Sequence, residues 1–308
     1  MSLYFRDEQY DLSSPRFLLA AVQSFPPCRP LRASDVITHI SPESDRDLRT
    51  LYFRDLLQLA LEKTRDSFGD YELRTAPPMN RIRMRQIVQT QQYPNLFVAD
   101  SLRPAAESEA LDYVRFPVEL GILGYRICFV SPQQADAVAR VNTLTELQQF
   151  LHGQGRGWQD AEILRHGGFK VQEIDGYERL FKLVARGRID LFCRGANELF
   201  IEQEQHSDLP GLTVDRRVAL HYPFLHLFYT HKDNQAAIRR LSVGLKLAWR
   251  DGSLQQLWLR HFKPSLEQAQ LPRRLLFELA NPRLDKVDFD YRAYHYNPVD
   301  GTFGPGQP

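Results

Sequence analysis

Cysteine is scarce in this chain, with three residues in 308. Cys28, Cys128 and Cys193 make neither a metal-ligand cluster nor a disulfide framework of the kind that staples small secreted domains. Long hydrophobic runs are missing too. No stretch approaches the roughly 18–20 apolar residues that a membrane-spanning helix needs. Charge of one sign is also lacking: 39 basic residues face 38 acidic ones, for a formal net charge of +1. A dedicated nucleic-acid binder usually shows a clear basic excess, so that class is disfavoured. The familiar catalytic signatures are absent as well, with no Gly-x-Ser-x-Gly elbow and no His-Glu-x-x-His zinc motif. No metal and no cofactor is implied.

What is present is a globular composition, 43% hydrophobic, with room for two lobes that each own a core. The most informative stretch runs from Gly153-Gln-Gly-Arg-Gly-Trp-Gln-Asp160 to Arg194-Gly195 and reads as strand, glycine turn, helix, strand, helix, strand. A helix N-terminus exposes unpaired N–H groups and partial positive charge, and glycines before it let an anion approach. Gly153, Gly155 and Gly157 would supply that access, with Trp158 as an apolar surface beside it. Tight βα turns need glycine for conformational reasons alone, so the turn by itself leaves ligand binding open. It is no nucleotide fingerprint: Trp158 stands where a glycine would be required, and the P-loop lysine and hydroxyl are missing.

Along the rest of the chain, residues 1–34 read as an export-signal remnant or a disordered arm, because a short apolar run follows Arg16 but the lead is acidic. Asp35 to Ile40 predicts a strand, and Phe53, Leu56, Leu57, Ala60 and Leu61 an amphipathic helix. Tyr71 to Thr75, a helix capped by Asn80, and Asn95 to Ala99 continue a β-α-β-α-β order, which implies a parallel sheet. Arg81, Arg83 and Arg85 lie on that second helix and read as a solvated face. Phe116-Pro117-Val118 and Tyr222-Pro223-Phe224 each lead into a strand, and between them lies a complete α/β unit with a capping box at Thr143 and Glu146. The economical topology inserts one lobe in another: residues 35–117 plus 224–280 form lobe 1, residues 118–223 form lobe 2, and 281–308 form an irregular tail. Two hinge crossovers would frame a cleft. His221, His226 and His231 recur every five residues, which on a strand alternates faces, so core packing or hinge hydrogen bonds suit them better than a shared metal.

The run Gly155 to Leu164, then Gly168-Phe-x-Val, then Leu183 to Phe192, with Gly244-Leu-Lys and Asp251-Gly252-Ser253-Leu254 further on, resembles the family 3 solute-binding proteins, periplasmic receptors that feed ABC importers. The resemblance covers roughly Asp35 to Phe262 and implies an α/β, two-lobe type II periplasmic-binding-protein fold. It implies a monomeric, non-enzymatic periplasmic receptor for a small polar, amino-acid-like solute, with an ABC importer membrane subunit as partner. The chain departs from the family pattern at two places. Ser108 falls where the family's carboxylate-clamping arginine usually stands, and Gly195 where its ammonium-binding acid does. Arg103, Arg156 and Arg194 would instead favour an anion, with the backbone of Gly157 and Trp158 receiving a carboxylate. Asp100, Ser101 and Glu198 complete the candidate site. A sensor or interaction module of the same fold is the alternative, and a dehydratase-like enzyme using Glu198 or Glu119 as base is the third.

Overall fold

The computed structural model describes residues 35–102, 109–284 and 287–304. The expectations for residues 1–34, and those for Arg103 and Ser108, lie outside the described residues. Lobe 1 opens with β1 (Asp35–Ile40), α1 (Arg49–Glu62), α2 (Arg65–Phe68), β2 (Tyr71–Ala76), α3 (Arg81–Gln89), β3 (Val98–Ser101) and β4 (Leu111–Tyr113). The chain then crosses to lobe 2 through β5 (Tyr125–Val130), α4 (Ala135–Val138), α5 (Leu144–Leu147), β6 (Leu151–Gly155), α6 (Gln159–His166) and β7 (Lys170–Ile174). Lobe 2 continues with α7 (Tyr177–Ala185), β8 (Leu191–Gly195), α8 (Leu199–Gln205), β9 (Thr213–Val214) and β10 (Val218–His221). The return to lobe 1 supplies β11 (His226–His231), α9 (Gln235–Arg250) and α10 (Ser253–Ala269), followed by β12 (Leu275–Glu278), β13 (Tyr296–Asn297) and β14 (Thr302–Phe303).

Local chemistry accounts for these elements. On α1, Tyr52, Leu56, Leu57, Ala60 and Leu61 fall on one helical stripe and are buried. Asn80 caps α3 by accepting from the Arg83 N–H, and the Thr143–Glu146 capping box forms at the head of α5. On β5 the alternation is strict: Ile127 and Phe129 face one core, Cys128 and Val130 the other. Lobe 2 is therefore a sheet covered on both faces. Its seven strands run β12-β10-β5-β8-β6-β7, with β9 pairing to β5. Lobe 1 carries the parallel pair β1-β2 and the antiparallel set β3-β11-β4.

Two features refine the expected organisation. The segment 224–280 does not stay in lobe 1, because β12 pairs in parallel with β10, matching Val218 to Leu275 and His221 to Glu278. Leu279 is buried in the lobe 2 core and Phe277 packs against it, so apolar burial draws this strand across. The chain thus passes between the lobes a third time. Cys128 and Cys193 are register partners on β5 and β8 and form a disulfide. Among the described residues, no helix is long and apolar enough to cross a membrane.

Candidate functional site

The crossovers place a narrow cleft between the lobes, and its walls are mostly charged. From lobe 1 come Arg49 at the start of α1, Arg81 and Arg85 on α3, and Asp100 and Ser101 at the end of β3. Lobe 2 contributes Arg126 on β5, Trp158, Gln159 and Asp160 at the head of α6, Arg194 on β8, and Glu198 just before α8. Five arginines thus meet three carboxylates around a cavity of about 30 Å³. A second cavity of about 80 Å³ in lobe 1 shares Arg49, Arg81, Glu198 and His226 with it.

Most of this charge is paired within its own lobe. Arg85 Nε donates to Asp100 Oδ2 at 2.8 Å, and Arg81 Nη1 lies 3.4 Å from the same carboxylate while also donating to the Ala99 carbonyl. Arg49 grips Asp47 with Nε at 2.7 Å and Nη2 at 2.8 Å. In lobe 2, Arg126 Nη2 lies 2.8 Å from Asp160 Oδ1, which also accepts from the Tyr222 hydroxyl at 2.6 Å. Arg194 reaches Glu198 at 2.8 Å and Glu202 at 2.7 Å, and its guanidinium lies 4.9 Å from the Trp158 ring centre. His226 Nδ1 lies 2.7 Å from Glu119 Oε2, close enough for an ion pair if the ring is protonated, but the two atoms do not meet hydrogen-bond geometry.

Protonation follows from these environments. Burial raises the Glu198 carboxyl above its usual range; Arg194 opposes this, and Glu202 and Glu119 reinforce it. Burial lowers Arg81 below the ordinary guanidinium value, which Asp100 offsets in part and Arg49 and Arg85 deepen. Arg194 loses by burial too, but Glu198 and Glu202 carry it well above its usual value. Burial thus outweighs the partners of a guanidinium on lobe 1 and of a carboxyl on lobe 2.

The lobes also touch directly. Arg85 Nη2 donates to the Gly157 carbonyl at 3.1 Å, Ser44 Oγ donates to Glu178 at 2.7 Å, and Arg46 pairs with Asp208 at 2.6 Å. Arg49 of lobe 1 stacks over the Tyr177 ring of lobe 2 at 3.8 Å. These contacts describe a closed cleft.

Asp100, Ser101, Trp158, Arg194 and Glu198 stand together on its walls. Arg156 does not join them: it is half exposed and paired with Asp175 at 2.7 Å. The expected backbone cradle is taken by the protein's own acceptors. The Gly157 amide donates to Glu173 at 3.0 Å and the Trp158 amide to the Gly155 carbonyl at 3.0 Å. The head of α6 carries Asp160 and Glu162 in its first turn, so its positive end already has carboxylates. Gly153 lies inside β6 and Gly155 at its end, where a Cβ would strike Ile189 at the first and the Trp158 ring at the second. Only Gly157, with φ of 74°, uses the left-handed freedom of glycine at this turn.

Residue patterns alone missed Arg49, Arg126, Asp160 and the pair Arg81 and Arg85. The available signal was the spacing of Arg81 and Arg85, since residues i and i+4 share a helix face while Arg83 points away. The solvated-face expectation is corrected for those two: both side chains turn onto Asp100 and into the cleft.

No family model matches the sequence, and no curated protein matches it. Solved structures do match. A substrate-binding protein of an amino acid ABC transporter from Streptococcus pneumoniae Canada MDR_19A, bound to L-arginine, aligns over 74% of this chain and 94% of its own at 11% identity, with a TM-score of 0.55. The GluR0 ligand-binding core from Nostoc punctiforme in complex with (L)-glutamate covers 74% and 99% at 14% identity and a TM-score of 0.54. An ancestral amino-acid-binding protein, named as a precursor of cyclohexadienyl dehydratase, covers 74% and 96% at 14% identity and 0.52. The chain has the type II periplasmic-binding-protein fold. The similar structures include amino-acid-binding proteins of the kind the sequence resemblance pointed to, and at these identities the likeness speaks for the fold.

Proposed function

We propose that this chain is a non-enzymatic solute-binding protein whose two lobes close on a small polar, amino-acid-like solute bearing a carboxylate, for delivery to an ABC-type importer. The observation that carries this reading is the convergence of five arginines on Asp100, Asp160 and Glu198 at the interlobe cleft, with Asp47 and Glu202 pairing Arg49 and Arg194 as well. An incoming carboxylate would face Arg81 and Arg49 on lobe 1, where guanidinium groups can grip it bidentately. Glu198, Trp158 and Arg194 would receive the rest of the solute from lobe 2. Simultaneous contact with both walls is what lets a ligand favour the closed state. Similar folds bind arginine and glutamate, which agrees with a solute of this size. The Cys128–Cys193 disulfide agrees with an oxidising compartment such as the periplasm.

A thermal-shift screen against amino acids, other carboxylates and polyamines tests the reading. A ligand at a hundred times its Kd should stabilise the fold by about 2.7 kcal/mol if it binds only the native state. Silence across the panel would sink the proposal. Arg81→Ala should weaken a carboxylate hit by about 10- to 150-fold, the worth of a hydrogen bond to a charged group. The sensor or interaction-module reading is favoured by one feature, the C-terminal segment that ties the lobes together.

A further inference from the structure

We infer that the solute carries a compact apolar group of about three to four carbons, seated in the lobe 1 cavity beside the charged cleft. The inference rests on the reading of the cleft as a solute site and names what that solute must look like.

The cavity of about 80 Å³ lies between α1, α3, β3 and β11. Its floor is Leu57, Met84, Phe97, Val98 and Phe228, all buried and all apolar. Of its polar lining residues, Glu43 and Arg54 are exposed, His39 and Thr50 are partly buried, Ser41 donates its hydroxyl to the Ala76 carbonyl, and Arg49, Arg81, Glu198 and His226 form the seam it shares with the cleft. Asp47 is a buried acid in this wall, but both of its oxygens are taken by Arg49. A cationic or amide tail reaching the floor would therefore be desolvated without a partner. An apolar tail would replace dispersion contacts that the bare walls lack. A dry cavity of about 150 Å³ accommodates the six carbons of benzene, so one of about 80 Å³ suits roughly half that number and excludes an aromatic ring. The head group of such a solute would lie at the seam, against Arg49 and Arg81.

Titration calorimetry on the full chain with two parallel series tests this. One series is alanine, valine, leucine, phenylalanine and arginine. The other is lactate, 2-hydroxyisovalerate, 2-hydroxyisocaproate and phenyllactate, which keep the side groups and drop the ammonium. In whichever series binds, affinity should rise about fifteen-fold from the one-carbon to the three-carbon side group, at about four-fold per buried carbon, and fall again at the phenyl ring. Ala99→Leu, which projects bulk into the same space, should reduce that fifteen-fold ratio towards one. A flat response along both series, or tightest binding by arginine, would overturn the inference and leave the receptor reading standing. Binding of neither series, together with silence in the wider thermal-shift panel, would remove both.

Discussion

His152 on β6 has no exposed surface, with its ring edge-on to Phe169 and its Nδ1 3.6 Å from Cys193 Sγ. Burial holds its pKa down to about 3, against an ordinary 6.5. The native state therefore refuses a proton that the unfolded chain accepts below about pH 6.5. Stability from this group is complete above that value and is lost as pH falls from about 6.5 towards about 3, at up to about 1.4 kcal/mol per unit. Urea midpoints across this range should show the slope, and His152→Phe should flatten it. Equal slopes in the two proteins would refute the assignment. A second residue-scale test concerns Gly155, where a Cβ would lie 2.5 Å from Trp158 Nε1 and 2.6 Å from Cδ2. Gly155→Ala should cost about 1–3 kcal/mol by overpacking and shift tryptophan emission as the Trp158 ring is displaced from the cleft wall. Unchanged emission and stability would show that the glycine has another purpose. Both glycines of β6 were visible in the sequence. What Gly153 makes room for was not, because its close neighbour Ile189 is remote in the chain, and for Gly155 the fold of the turn decides that the nearby Trp158 ring lies over it.

Among the elements, β5 and β8 form the spine of lobe 2, and their disulfide closes a loop with a sequence separation of 65. By loop-closure entropy such a bridge contributes about 4 kcal/mol, with measured cases nearer 2–4. The double variant Cys128→Ala with Cys193→Ala should lose that much in denaturant unfolding, and a loss below about 0.5 kcal/mol would mean that pairing along β5–β8 alone carries the lobe. Element identity was legible wherever periodicity was strong. The Asn80 cap and the Thr143–Glu146 box appear as their spacing predicts, and so does the α1 stripe except at Phe53, which is only partly buried while Tyr52 is buried. Two things were not legible. Pairing of β12 with β10 is a long-range choice that a four-residue strand does not encode, and cysteine pairing depends on which strands become neighbours. The cleft residues divide in the same way. Trp158, Arg194 and Glu198 follow from the motif order, whereas Arg126 and Asp160 are cleft groups only because β5 and α6 converge.

At the scale of the whole molecule, the two hinge crossovers are not the sole ties between the lobes. Beyond β12 the chain leaves lobe 2 and lies over the hinge. Asn281 donates to the Pro223 carbonyl at 2.9 Å, and Arg283 bonds both the Leu102 carbonyl of lobe 1 and Glu162 of lobe 2. Asp288 then accepts from Tyr113 and pairs with Arg115. The Tyr296 amide bonds the Leu120 carbonyl at 2.7 Å, where Leu120 and Gly121 turn the first crossover through positive φ. Tyr294 packs on Phe116, and Tyr296 on Trp258. Opening the cleft by rotation about the hinge would have to shear these contacts, so the segment biases the molecule towards closure. Arg283→Ala should cost about 1 kcal/mol, since Glu162 is 42% exposed and its charge is screened. Ending the chain after Ala280 should raise the radius of gyration of the ligand-free protein in small-angle scattering and speed solute association. Identical scattering with and without the segment would show that it covers the hinge without restraining it. Cooperative unfolding of the shortened chain separates an opened molecule from an unfolded one. Under the proposed solute-binding reading, a molecule held closed in this way would admit its solute at the rate at which the clasp releases, which would couple the C-terminal segment to the cleft.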